Sequence, residues 1–120
     1  MAELIRPALA QERIVLCDRF TDASLAYQGY GRGLDLRFIR QLDRFACQGL
    51  KPDLTFVIDI DPRTSLQRAR QRNTDTRRDE GRFEQETLDF YERVRRGYRA
   101  LARQEPRRVK IGRASCRERV

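Results

Sequence analysis

In Arg13-Ile14-Val15-Leu16-Cys17-Asp18-Arg19-Phe20-Thr21-Asp22-Ala23-Ser24-Leu25-Ala26-Tyr27-Gln28-Gly29, an apolar run breaks off abruptly into an acid and an arginine. A serine, a tyrosine and a glutamine follow at near-helical spacing. Ile14 to Cys17 is short and wholly apolar, which predicts a central parallel strand covered by helices on both sides. Phe20 to Gln28 reads as a helix or helical turn. Together they set one carboxylate, one guanidinium and several neutral polar groups at the carboxyl end of a buried strand. Ligands bind at that edge in open α/β sheets.

Further along, Leu54-Thr55-Phe56-Val57-Ile58-Asp59-Ile60 is the clearest strand. Asp61 then reads as an N-cap and Pro62 as the first position of a helix running to about Arg72. Strands that alternate with helices predict an α/β fold with a parallel sheet.

The remaining segments fit between these. Ala2 to Gln11 looks like the end of a helix, with Leu4, Ile5, Ala8 and Leu9 on one face. Nothing caps its beginning, which suggests a missing amino-terminal portion. Gly29-Tyr30-Gly31-Arg32-Gly33 is a glycine-rich loop but not a P-loop, because no Gly-Lys-Ser/Thr follows. Asp35 to Gly49 is an amphipathic helix with Phe38, Ile39, Leu42, Phe45 and Ala46 as its stripe and Gly49 as its terminator. Lys51-Pro52-Asp53 is a turn. Asn73 to Gly81 is polar and without periodicity, a mobile loop. Phe83 to Gln104 is the longest helix, with Phe83, Thr87, Tyr91, Val94, Tyr98 and Leu101 at three- and four-residue steps. Arg107 to Ile111 reads as a last short strand.

Composition narrows the class. The chain has 120 residues, a net charge of +8, 39% apolar and 37% charged residues, and no histidine. That is at most one domain, without the usual general base. No stretch has the length of a membrane span and the start is no signal peptide, which points to a cytoplasmic protein. Three distant cysteines make neither a disulfide framework nor a zinc site, and Cys17 and Cys47 read as small core residues. Arginine supplies nearly all the positive charge, which suits phosphate-rich ligands or simply a solvated face.

The quoted segment resembles, nearly residue for residue, the nucleotide-binding segment of bacterial thymidylate (dTMP) kinases. The resemblance runs from about Leu4 to Val109. It is carried by Arg6-Pro7-Ala8-Leu9, the Asp18-to-Gly29 segment, Gly31-Arg32-Gly33 and Lys51-Pro52-Asp53-Leu54-Thr55. Asp59-Ile60-Asp61-Pro62, Arg82-Phe83-Glu84-Gln85-Glu86 and Phe90-Tyr91-Glu92-Arg93-Val94-Arg95 complete it.

The resemblance implies a P-loop kinase-type fold: a three-layer αβα with a parallel sheet. It implies transfer of the γ-phosphoryl group of ATP to dTMP, giving dTDP, with Mg²⁺, in a homodimeric full-length protein with neither nucleic acid nor membrane as partner. Arg19 would hold the dTMP phosphate and lie close to the transferred group, with a structural salt bridge as the alternative. Asp18 would sit near Mg²⁺ through water, or serve as a strand-end carboxylate. Ser24 and Gln28 would help read the thymine, and Tyr27 would pack against the deoxyribose or simply in the core. Asp22 reads as an exposed polar group. Residues of about 73–82 correspond to the family's lid. Arg70, Arg72, Arg77, Arg78 and Arg82 are available there, with Arg70 and Arg78 as the candidates for the ATP phosphates and Arg78 as a catalytic one. Glu84 and Glu86 read as structural, and Asp59 as a neighbour of the phosphate site.

Two departures set expectations of their own. Nothing matches G-x-x-x-x-G-K-[ST], so residues 1–111 read as a partial domain that lacks its first strand, P-loop and first helices and is inactive alone. Residues 112–120 show no apolar period and read as a non-native tail. The rival readings are another nucleotide kinase of the same fold and a basic nucleic-acid-binding module. The latter predicts a basic stripe with aromatics on one face, whereas here the arginines are spread along the chain.

Overall fold

The computed structural model describes residues 2–72 and 80–113, and from 80 to 85 the backbone alone. The elements are α1 (Ala2–Ala10), α2 (Thr21–Ser24), a π-helix (Leu25–Gly31), α3 (Leu36–Ala46), β1 (Thr55–Asp59), α4 (Pro62–Arg72), α5 (Glu80–Gln104) and β2 (Val109–Arg113). β1 and β2 pair in parallel, with Thr55 opposite Val109 and Asp59 opposite Arg113. The crossover between them carries α4 and α5, the α/β arrangement that the alternation of strands and helices predicts.

Local chemistry explains the boundaries. The Asp61 carboxylate accepts from Thr64 N at 3.3 Å and its carbonyl accepts from Ser65 N at 3.0 Å, so Asp61 caps α4 and Pro62 follows at the first helical position. Asp35 caps α3 by accepting from Arg37 N at 2.7 Å and Phe38 N at 3.4 Å. Gly49, at φ +74°, turns the chain out of α3, where a side chain would be strained.

α5 is the centre of the packing. It lies against the π-helix, α4 and β2. Leu25, Ile39 and Leu101 form the core, with Leu36 and Tyr98 packed against it. Val94 and Leu101, two members of the stripe expected on α5, are buried. The approach of the π-helix to α5 requires glycine: a Cβ on Gly97 would stand 2.8 Å from the Tyr30 side chain, and one on Gly31 2.7 Å from the Phe90 ring.

The structure departs from expectation in several places. Residues 14–17 form no strand; Ile14 is 91% and Leu16 93% exposed. A strand is defined by its ladder, and among the described residues nothing pairs with this run. Cys17, expected in the core, is therefore exposed. β1 also has one open face, with Phe56 74% and Ile58 68% exposed. The radius of gyration, 16.8 Å, exceeds the roughly 14 Å of a compact domain of this length.

The glycine-rich loop is half helix, because the π-helix runs through Gly31; Arg32 N bonds to Tyr27 O at 3.0 Å, a five-residue step. α5 starts at Glu80, ahead of Phe83. β2 extends through Gly112 and Arg113, two residues into the segment read as a tail. Residues 73–79, most of the expected lid, and 114–120 with Cys116 lie outside the described residues. No described helix is long and apolar enough to cross a membrane.

Candidate functional site

Beyond the carboxyl end of β1, Arg19, Tyr27, Ile60, Ser65, Arg68 and Arg72 line a cleft of about 760 Å³ together with Gln71, Phe90 and Tyr91. That is the size range of small-ligand sites. The walls come from three parts of the chain: the segment after residue 17, the start and body of α4, and α5. Ser65, Arg68 and Arg72 recur at helical steps and so share one face of α4. Phe90 and Tyr91 contribute from α5, their rings at 5.8 Å and 63°.

Arg19 sits at the mouth with φ +61°. Such a conformation costs a non-glycine residue about 1–2 kcal/mol. Two other residues with positive φ, Glu12 and Gln48, lie just past helix ends, where that conformation is usual; Arg19 follows no helix. Its guanidinium donates to the Tyr27 hydroxyl at 3.2 Å and lies 4.8 Å from the centre of the same ring. Tyr27 is clasped in turn by Phe90 at 6.1 Å and Tyr98 at 6.4 Å. Burial chiefly, with the neighbouring Tyr27, pushes the Tyr98 hydroxyl up to about 12, so it stays neutral at any ordinary pH. The cleft therefore presents cations and neutral aromatic groups, a lining suited to an anion with an organic body.

Of the residues expected at the site, Arg19 and Tyr27 are brought together on the wall. Asp18 is exposed at the bend just before Arg19. Ser24 is half-buried beside Asp43 of α3. Burial raises the Asp43 pKa, and the neighbouring Ser24 hydroxyl opposes the rise. Gln28 is exposed and is not among the lining residues; its carbonyl accepts from Leu34 N at 3.1 Å. Arg70 is exposed on α4 and also does not line the cleft. Arg78 lies outside the described residues. Asp59 ends β1 in a double ion pair, to Arg95 at 2.7 Å and Arg99 at 3.1 Å. The Arg95 hydrogen bonds hold its carboxyl below the usual range.

Asp22 is the largest correction. It is 5% exposed, not a surface group. Arg108 grips both its oxygens at 2.7 Å, and the Thr55 hydroxyl donates to it at 2.7 Å. Arg108 also bonds Glu105 at 2.7 Å, and Lys51 pairs with Glu105 from outside. Burial alone would raise the Asp22 pKa, but the Arg108 and Thr55 hydrogen bonds win and hold it below the usual value. The Arg108 hydrogen bond likewise brings Glu105 down to about 2. The partners of Asp22 lie at the amino ends of β1 and β2, opposite the cleft. Local sequence carries no sign of that pairing. The helical spacing of Ser65, Arg68 and Arg72 is a signal that would have revealed the α4 wall.

Comparison with known proteins places this geometry in a family. The family model described as thymidylate kinase matches residues 1–119. Thymidylate kinase of Desulfovibrio desulfuricans is 57% identical over 113 residues, covering 92% of this chain and 52% of that protein. That of Solidesulfovibrio magneticus is 53% identical over 113 residues, covering 92% and 54%. The crystal structure of thymidylate kinase from Ehrlichia chaffeensis superposes with a TM-score of 0.68 at 33% identity, over 95% of this chain and 48% of that one. The chain spans about half the length of the curated relatives it matches.

Proposed function

This chain belongs to the thymidylate kinase family, and we propose that it forms the acceptor-nucleotide half of an enzyme that transfers the γ-phosphoryl group of ATP to dTMP. The observation that carries the proposal is Arg19. It is held in a left-handed conformation, stacked on Tyr27, at a cleft whose other cations are Arg68 and Arg72. In this reading an oxygen of the dTMP phosphate attacks the γ-phosphorus, the bond to the β-phosphate breaks, and dTDP and ADP result. The protein's part is to position two anions and neutralise charge as it spreads over the transferred group.

Arg19 binds the acceptor phosphate through paired N–H donors and remains beside it during transfer. Tyr27, gripped by Phe90 and Tyr98, offers its ring to the deoxyribose. Gln28 and Ser24 read the thymine in this proposal. Arg70, from α4, and Arg78, from the lid, serve the ATP phosphates, with Arg78 catalytic. Arg68 and Arg72 join them on the α4 face that lines the cleft.

Magnesium is part of the same reading. Among the described residues no cluster of three metal-binding side chains exists. Magnesium needs none, since it keeps its waters and takes one or two carboxylates plus substrate phosphates. Asp18, exposed beside Arg19, fits that role. When bound, the ion would neutralise phosphate charge. The reading extends to a cytoplasmic homodimer. The outer face of α3, where Phe38, Leu42 and Phe45 are exposed, supports a partner there.

A chimera tests the proposal. Residues 1–113 of this chain replace the matching half of the Desulfovibrio desulfuricans relative, and ADP release is followed with dTMP, dCMP, dGMP and dAMP as acceptors. The expected result is turnover with dTMP above the others, lost by about 10³-fold on Arg19→Ala, as for removal of a transition-state cation. Unchanged turnover in Arg19→Ala refutes the role of Arg19. Preference for another acceptor refutes the assigned base.

A further inference from the structure

The cluster of Asp22, Thr55, Glu105 and Arg108 lies outside the cleft, and none of its members lines it. It joins points 86 residues apart in the chain. As a stabilising device it is poorly chosen. Buried ion pairs are often no better than apolar residues of the same volume. Arg108 also buries its Nε without an acceptor among the described residues, a cost that a purely stabilising side chain avoids.

Its geometry serves another end. α2 continues directly into the π-helix, but its amino end has no side-chain cap at Phe20, and the run before it belongs to no strand. An uncapped first turn leaves its amide groups without helical partners and frays. Leu25 and Ala26, buried just after α2, fix how deep the segment sits, but apolar contact is non-directional. A two-pronged guanidinium–carboxylate pair fixes heading as well. Arg108 is itself tied down, because its carbonyl accepts from Thr55 N at 2.8 Å and its second amino group bonds Glu105. Arg19 lies three residues before Asp22, and Tyr27 five after.

We infer that Asp22 and Arg108 are positioning residues. With Thr55 and Glu105 they hold α2 against the amino ends of β1 and β2, and so set where the Arg19 guanidinium and the Tyr27 ring stand in the cleft. The inference rests on the proposed function for the identity of the ligand, but not for the placement of Arg19.

The test uses the whole 120-residue chain, labelled with ¹⁵N and ¹³C, with the Arg19 Nε–H and Tyr27 ring C–H signals as reporters and dTMP as the probe. Asp22→Asn and Arg108→Lys are expected to move both reporter signals without ligand. They are also expected to weaken dTMP binding by about tenfold or more, as small misplacements of binding groups do. A folded variant in which both reporters stay put, with shifts confined to residues touching Asp22, overturns the inference. Should the unmutated chain show no dTMP binding, the acceptor assignment falls and the ligand-free signals alone decide positioning. Should Asp22→Asn fail to fold, Thr55→Val decides, because it removes the hydroxyl that donates to Asp22 and accepts from Arg108 and leaves the ion pair. Movement of the Arg19 signal supports the inference and stillness overturns it.

Discussion

Replacing Arg108 by Met keeps an unbranched stem of similar width and removes every N–H that Asp22 receives from it. Asp22 is 5% exposed, so water does not take over. Its carboxylate would keep only the Thr55 hydroxyl at 2.7 Å. Breaking a buried pair from one side costs about 3–5 kcal/mol, because a charge is left without compensation. Against a total of roughly 5–15 kcal/mol for a domain, that is a large fraction.

The pH dependence gives the loss its signature. In the unmutated chain Asp22 and Glu105 have folded pKa values below their ordinary values of 3.8 and 4.5. Their contributions are complete above those ordinary values and are lost only as pH falls through the lower folded ones. Between pH 7 and pH 5 the unmutated chain is therefore flat in these groups. Without Arg108, burial dominates and lifts Asp22 above 3.8. The penalty is then full at pH 7 and relieved as pH falls and the acid takes up a proton. Urea denaturation at pH 7 and pH 5, with the slope unchanged, should show the loss shrinking at the lower pH. The double variant Asp22→Asn/Arg108→Met should recover at least about 2 kcal/mol at pH 7. A loss under about 1 kcal/mol at pH 7, or one equal at both pH values, refutes the reasoning.

Three further outcomes follow from other parts of the structure. Gly97→Ala drives a methyl group into the Tyr30 side chain, including its Cβ, and should cost about 1–3 kcal/mol in urea denaturation; an unchanged midpoint would mean the helices are not in contact there. Arg19→Gly relieves the φ of +61° that Arg19→Ala keeps, so the glycine variant should be more stable by about 1 kcal/mol while both lose dTMP binding; equal stability would show that no strain is stored. Phe45→Lys puts a charge on the exposed apolar face of α3 and should reduce concentration-dependent association in sedimentation velocity; unchanged association would show that α3 is not the contact.

Elements built by local chemistry were legible in the sequence. The Asp61-Pro62 start of α4, the Asp35 cap of α3 and the turn at Gly49 each depend on residues within one turn of one another. β1 was read from its β-branched and aromatic run, and the stripe on α5 from its steps. The run 14–17 has the same apolar character as β1 and yet forms no strand. Composition reports what a segment is suited to, while a strand also needs a neighbour to complete its ladder. The π-helix was hidden for a different reason. Leu25 to Gln28 reads as helix and Gly29 to Gly31 as loop, and a shift from four-residue to five-residue hydrogen bonds leaves no periodicity to detect over seven residues.

The site divides along the same line. Arg19 and Tyr27 are named by the resemblance of one short segment, and both line the cleft. Asp22 stands between them and was misread as an exposed group. Its type, a small acid in the first turn of a short helix, is among the commonest on protein surfaces. What makes it different is an arginine 86 positions later, on the residue that leads into β2. That arginine is unexceptional in a chain with 26 basic residues. Only the parallel pairing of β1 with β2 brings Thr55 and Arg108 side by side, and only then does a carboxylate on α2 find a two-pronged partner. Reading outward from the ligand side of the segment finds the groups that would touch a nucleotide. The groups that hold that segment in place belong to the other end of the sheet, and they become visible only once the strands are paired.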